Sequence, residues 1–180
     1  IIIGATGIAL LAVVAFARPY VMDRLLTFMD PSADPLGSGY QIQQSLIAVG
    51  SGGLTGRGFG QSIQKFQYLP EPIGDSIFAV YAEEFGFIGS VILIGLFTLF
   101  TFRGYKIAAQ ANDQFGMLLV VGIVTLIATQ AFLNIAAMLS VAPVMGLPLP
   151  FISHGGTALL VTLAAVGIVL NVSKYTKPLR

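Results

Sequence analysis

The sequence predicts an all-α, polytopic integral membrane protein, and three observations carry that prediction. Of 180 residues, 56% are hydrophobic and 9% charged, with a mean hydropathy of +0.87, far outside soluble globular composition. The 60 residues from Gln114 to Ser173 contain no Asp, Glu, Lys or Arg, which is room for two crossings of about 20 residues each. All six tyrosines (Tyr20, Tyr40, Tyr68, Tyr81, Tyr105 and Tyr175) lie outside the uncharged runs, where an interfacial aromatic belt would place them. A soluble enzyme, a nucleic-acid binder and a disordered tail are thereby excluded. The net charge of +1 gives no global attraction to polyanions, and zero Cys removes disulfides, thiolate metal sites and Cys nucleophiles.

Four spans are expected. The first, about residues 1–17, is uncharged; at about 1.5 Å per residue it reaches roughly 25 Å, just short of the ~30 Å hydrocarbon core. Beginning with Ile1 inside an apolar run, it reads as a truncated span of a longer protein and not as a signal peptide. The second span covers about 78–102. Its uncharged part runs from Phe85 to Phe102, with Glu83 and Glu84 upstream and Arg103 and Lys106 downstream. The third and fourth, about 115–140 and 152–173, share the uncharged stretch, and Pro143, Pro148 and Pro150 mark the non-helical break between them.

Basic residues set the orientation. Arg103, Lys106, Lys174, Lys177 and Arg180 flank spans two to four on one side, whereas the long connection at about 18–77 and its approach to span two are net acidic. The positive-inside rule makes that connection extracytoplasmic. It is too long to be structureless. Ile42, Leu46 and Val49 recur at helical spacing opposite Gln41, Gln43, Gln44 and Ser45, and Gly50 follows. This suggests a short helix, either lying on the membrane surface or packed in the ordinary way.

The glycines Gly50, Gly52, Gly53, Gly56, Gly58 and Gly60 admit a phosphate-binding reading, because bare backbone amides can approach an anion. No GxGxxG or P-loop pattern is present, and tight turning at a membrane surface explains them equally. Arg57 and Lys65 flank them as candidate phosphate-binding cations or as solvated loop charges. The stretch Lys65 to Glu84, KFQYLPEPIGDSIFAVYAEE, places four carboxylates beside a lysine at a membrane edge. Glu71 is fixed between Pro70 and Pro72. Asp75 precedes an apolar helix and is either its N-cap or a partly desolvated general base or metal ligand. Glu83 and Glu84 point apart on the helix, and Arg18 or Arg24 is a candidate ion-pair partner for one of them. Gln130 and Asn134 share one helical face and are expected to bond across helices. Gly155 and Gly156, beside Ser153 and Thr157, would permit close approach of helices or of the upstream loop. His154, the single histidine, makes no zinc site alone and reads as a packing or hydrogen-bonding residue.

Several separated segments resemble the SEDS family, FtsW and RodA. LLTFMDPSADP from Leu25, GSGYQIQQSLIAVGSGGLTGRGFGQS, and QKFQYLPEPIGDSIFAVYAEEFGFIG are similar to the family's large outer loop and the helix after it. NIAAMLSVAPVMGLPLPFISHGGTA from Asn134 is similar to its C-terminal signature of Asn, Pro-x-x-Gly and Ser-x-Gly-Gly. The GDSIFA run leans toward the FtsW side. The resemblance implies the C-terminal half of a ten-helix fold in the bacterial cytoplasmic membrane, with the catalytic loop outside. It implies a peptidoglycan glycosyltransferase that polymerises lipid II by inverting transfer in division or elongation. Asp75 would be the catalytic base, and a divalent cation such as Mg or Mn could sit at it. Lys65, Arg57, Glu71, Glu83 and Ser153 would lie on the substrate side, and Glu84, Gln130, Asn134, Gly155 and Gly156 would be structural or cavity-lining. The implied partners are a class B penicillin-binding protein and other division or elongation proteins, with no nucleic acid. The alternatives are a flippase for the lipid-linked precursor and a non-catalytic division scaffold. The middles of the last two spans offer only Gln130, Asn134, Ser and Thr, without the ionisable groups that usually mark transport.

Overall fold

The computed structural model describes residues 19–30 and 37–175, and its regular elements are helical throughout. The expected first span, and Arg18 with it, lies outside the described residues. Helices α1 (Pro19–Met29), α2 (Ser38–Ser51) and the single turn α3 (Gln64–Gln67) occupy the long connection. Helices α4 (Ile77–Ala109), α5 (Gln114–Met138) and α6 (Gly156–Lys174) follow, each long and apolar enough to cross a membrane. These match the second, third and fourth expected spans. α4 runs seven residues past the expected end because Arg103 and Lys106 continue the helix beyond its apolar part, as long basic side chains at a membrane edge can.

Asp113 caps α5: its side chain accepts the Gly116 N–H at 2.8 Å, satisfying one of the four free amides of the first turn. α5 ends at Met138 and α6 begins at Gly156, so the proline-bearing segment between them is non-helical as expected. The main core joins α4, α5 and this segment through Phe78, Leu93, Phe97, Ala131, Ile135, Met138, Val144 and Leu149. Between membrane helices burial gives little net hydrophobic drive, so close packing and backbone satisfaction carry more of the stability.

The short helix exists, with a different buried stripe. α2 buries Gly39, Ile42, Ser45 and Ala48, while Leu46 and Ile47 stay exposed. The small residues Gly39, Ser45 and Ala48 of this stripe let the helix lie close against α4 and α5. Ser45 Oγ accordingly reaches Met138 Sδ at 3.4 Å. The apolar spacing shares Ile42 with the buried stripe, but the stripe continues through Ser45 and Ala48 and leaves Leu46 exposed, because close backbone approach as well as side-chain hydropathy decides this contact.

Within α4, Gly86 sits at φ 68 and ψ −164, breaking the helix. An unbroken helix would bond Phe87 N–H to Glu83 O and Ile88 N–H to Glu84 O. Instead the glycine-rich loop supplies all four partners. Phe87 and Ile88 donate to Gly53 O and Leu54 O at 2.9 and 3.1 Å, and Arg57 and Gly58 donate to Glu83 O and Glu84 O, each at 3.0 Å. This exchange meets the requirement that no backbone group in a membrane be left unpaired. It also explains the glycines: a Cβ on Gly56 would stand 2.1 Å from Glu84 O, and one on Gly86 would stand 2.3 Å from Gly56 N. The Arg57 and Gly58 amides are thus committed to helix carbonyls and do not form an anion cradle.

Candidate active site

Asp75 closes a tight turn that begins at Glu71. Glu71 adopts φ 47, an uncommon left-handed conformation for a non-glycine residue, and its carbonyl accepts the Gly74 and Ser76 amides at 3.0 and 3.3 Å. Its side chain is exposed. The turn is gripped from the C-terminal segment at three successive carbonyls. His154 N–H donates to Ile73 O at 2.8 Å, Ser153 Oγ donates to Gly74 O at 2.6 Å, and Asn134 Nδ2 donates to Asp75 O at 2.7 Å. Ser153 Oγ also accepts the Leu149 N–H at 2.7 Å, and Asn134 Nδ2 also reaches Leu147 O at 2.6 Å. Gln130 Nε2 donates to Pro148 O at 2.9 Å. Gln130 and Asn134 thus bond from a helix to the irregular segment beside it, and not to another helix. The two ends of the C-terminal signature, far apart in sequence, converge on one aspartate.

The carboxylate itself is lightly held. Ser76, not Asp75, is the N-cap position of α4, and it makes no side-chain cap bond. The cap expected of Asp75 is therefore corrected: the chain enters α4 one residue later, so the Asp75 carboxylate does not face the first-turn amides. Its polar contacts are Gln41 Nε2 at 3.4 Å and Ser76 Oγ at 3.5 Å, both to Oδ1. Gln41 also donates to Ser76 Oγ at 2.9 Å, which in turn donates to Pro70 O at 2.9 Å. Oδ2 lies toward Gly146, where a Cβ would stand 3.8 Å away. Asp75 is half-buried at a small cleft it shares with Leu133, Asn134, Met138, Met145 and Leu147. Sequence reasoning did not single out Gln41, and its only signal was its place on the polar side of a short amphipathic helix.

A second cluster lies deeper along α4. Glu83 is 1% exposed and its oxygens are fully engaged, accepting from Ser62 Oγ at 2.6 Å and from the Ile63 and Gln64 amides at 3.2 and 3.3 Å. Arg57 Nε stands 3.4 Å from its Oε1. Glu84 pairs with Lys65 Nζ at 2.6 Å. The partners of the two glutamates are thus Arg57, from the loop sewn into the Gly86 break, and Lys65, from the turn α3 that follows it, and not Arg24, whose Nη1 donates to Val144 O. The intercalated loop and the turn α3 after it bring one cation each to the helix, a route invisible to sequence spacing. Glu83 lies about 9 Å beyond the first residue of α4 by helical rise, so its cluster stands apart from the Asp75 turn, whereas Glu71 opens that turn. Gly155 is the N-cap of α6 and Gly156 its first residue. A Cβ on Gly156 meets nothing within 4 Å, so close approach to the upstream loop is made by Ser153 and the His154 amide instead.

Removing one gripping bond should weaken the others. Asn134→Ala and Ser153→Ala are each expected to cost about 1–3 kcal/mol, from hydrogen bonds worth about 0.5–1.5 kcal/mol each. Because both hold the same turn, the double variant should depart from additivity by 0.5 kcal/mol or more on the usual scale of about 0.5–3 kcal/mol. Thermal unfolding of the four proteins measures this, and strict additivity would show that the two contacts do not share one rigid turn.

The family model for FtsW, RodA and SpoVE, described as cell cycle proteins, matches residues 1–178. Stage V sporulation protein E of Bacillus subtilis is 46% identical over 177 residues, which is 98% of this chain and 48% of that protein. The probable peptidoglycan glycosyltransferase FtsW of Thiomicrospira cyclica is 45% identical over 172 residues, 94% of this chain and 44% of that protein. The chain therefore spans about half the length of the curated relatives it matches. Among solved structures, one described as the structural coordination of polymerization and crosslinking by a peptidoglycan synthase complex aligns with a TM-score of 0.71 at 30% identity, covering 97% of this chain and 48% of that one. A mutant of the rod shape determining protein RodA from Thermus thermophilus aligns with a TM-score of 0.56 at 34% identity, covering 74% and 40%. The motif order, the three membrane-length helices and these matches agree, and the chain belongs to the FtsW/RodA/SpoVE family of cell cycle proteins.

Proposed function

We propose that the complete protein is a peptidoglycan glycosyltransferase that polymerises lipid II, with Asp75 as its general base. The observation that carries this reading is the contrast at Asp75. The turn that carries it is held at the carbonyls of Ile73, Gly74 and Asp75, while among the described residues its carboxylate accepts no backbone amide and its Oδ2 is turned toward Gly146 in a small cleft. A structural carboxylate is expected to spend its oxygens on donors, as Glu83 does. A base must be rigidly placed yet keep an oxygen for the incoming proton. The naming of relatives at 45% identity as probable peptidoglycan glycosyltransferases supports the same chemistry.

In this reaction an acceptor sugar hydroxyl attacks the anomeric carbon of the lipid-linked donor. The new glycosidic C–O bond forms as the bond to pyrophosphate breaks, and the hydroxyl proton passes to Asp75. A single displacement inverts the anomeric centre. Lys65 keeps donors on Nζ beyond the one at Glu84 and is 24% exposed, so it is the stronger candidate for the leaving pyrophosphate. Arg57 and Glu71 are candidates at the loop surface, Ser153 and Asn134 act by placing Asp75, and the sealed Glu83 holds the loop. For a divalent cation at Asp75 a chelating set is lacking: among the described residues no three His, Cys, Asp or Glu side chains gather. A class B penicillin-binding protein is the proposed partner, in keeping with the synthase complex that this chain resembles. The test is the complete protein in liposomes with labelled lipid II. Glycan strands are expected, and movement of the precursor across the bilayer without polymer would favour a flippase instead.

A further inference from the structure

We propose that the glycine-rich loop around Leu54 and Phe59 is immersed in the bilayer and contacts lipid acyl chains directly, although it belongs to a connection between spans. The depth of the loop is fixed by its hydrogen bonds to α4. Gly53 O and Leu54 O accept from Phe87 and Ile88, so these residues share one level. Between Glu84 and Arg103 the uncharged part of α4 is 18 residues long, about 27 Å at helical rise. A hydrocarbon core of about 30 Å uses all of it. Phe87 and Ile88, third and fourth in that run, therefore lie inside the apolar layer, and the loop bonded to them lies there too.

The loop is built for that position. Its amides and carbonyls at the contact are paired with α4, as backbone at membrane depth must be. Its two large apolar side chains turn away from the protein: Leu54 is 70% exposed and Phe59 83% exposed. They continue the exposed face of Phe87 and Ile88 on α4, and Phe59 lies 6.0 Å from the Phe85 ring at the start of the uncharged run. The nearby cations are neutralised, Arg57 by Glu83 and Lys65 by Glu84, which lowers the cost of holding them at the boundary. In water, such side chains on a loop would be an isolated patch; at this level they are a continuation of a lipid-facing helix.

Spin labelling tests it. In the complete protein, with other cysteines replaced, nitroxides are placed at Leu54→Cys and Phe59→Cys, and at Gln114→Cys, the exposed first residue of α5, as a water-facing reference, in phosphatidylglycerol-containing vesicles. Both side chains are already exposed, so the labels need no repacking. Collisions with oxygen, which concentrates in hydrocarbon, are expected to exceed those with a water-soluble nickel chelate at both loop positions, and the order should reverse at Gln114→Cys. Nickel-dominated collisions at either loop position would overturn the proposal, and so would shielding from both reagents, which would mean that protein covers the loop. Hydroxyl-radical footprinting of the unsubstituted protein in the same vesicles should leave Phe59 unoxidised, and its oxidation would also overturn the proposal.

Discussion

Asp75→Asn in the complete protein is expected to lower lipid II polymerisation by at least a hundredfold, with thermal stability and membrane accumulation unchanged. The magnitude follows from the loss of a general base, worth about 10²–10⁴ in rate. The structure separates this effect from misfolding. The three bonds that hold the turn end on the carbonyls of Ile73, Gly74 and Asp75, and these are indifferent to the side chain. Asparagine also preserves volume and offers an oxygen to Gln41. Glycan products separated by size, beside an unfolding curve for the same preparation, measure both. Strand synthesis at the normal rate would end the proposal that Asp75 is the base.

Gly56→Ala should have the largest effect on folding. Gly56 has φ +80, and a methyl group there would lie 2.1 Å from Glu84 O and 2.5 Å from Glu84 C. Neither atom is the end of a flexible side chain, so the loop itself must withdraw. The four backbone bonds at the Gly86 break would go with it. At about 0.5–1.5 kcal/mol net for each bond, the loss is about 2–6 kcal/mol, against a total stability of about 5–15 kcal/mol for a typical domain. Gly50→Ala is the control. Gly50 lies in α2 with nothing within 4 Å of a Cβ, so it should change stability by less than about 1 kcal/mol, in the stabilising direction. The temperature at which the detergent-solubilised protein loses monodispersity compares them, and equal midpoints for Gly56→Ala and the parent would disprove the close-approach account.

The membrane helices were legible because one cause, hydrocarbon length, dictates both composition and extent, and α4, α5 and α6 begin within about four residues of their expected starts. The role proposed for Asp75 comes from the resemblance and not from spacing. Taken alone, a carboxylate before an apolar helix resembles a cap, and one residue of offset at Ser76 decides otherwise. Arg57 and Lys65 were recognised as notable cations, but their partners were not, because a loop entering a helix break and the turn after it bring together residues 26 and 19 positions apart with no periodic signal. The glycines gave the right residues and an incomplete reason. They turn the chain, and they also admit a second backbone to within hydrogen-bonding distance of α4.

That exchange constrains how the sequence can change length. Gly53 and Leu54 receive, and Arg57 and Gly58 give, across the break to partners at 87, 88, 83 and 84, so the two segments mesh like teeth of equal pitch. Deleting or inserting a single residue between 54 and 57 would leave one side of the mesh out of step. Variation in loop length among relatives should therefore fall outside this short interval.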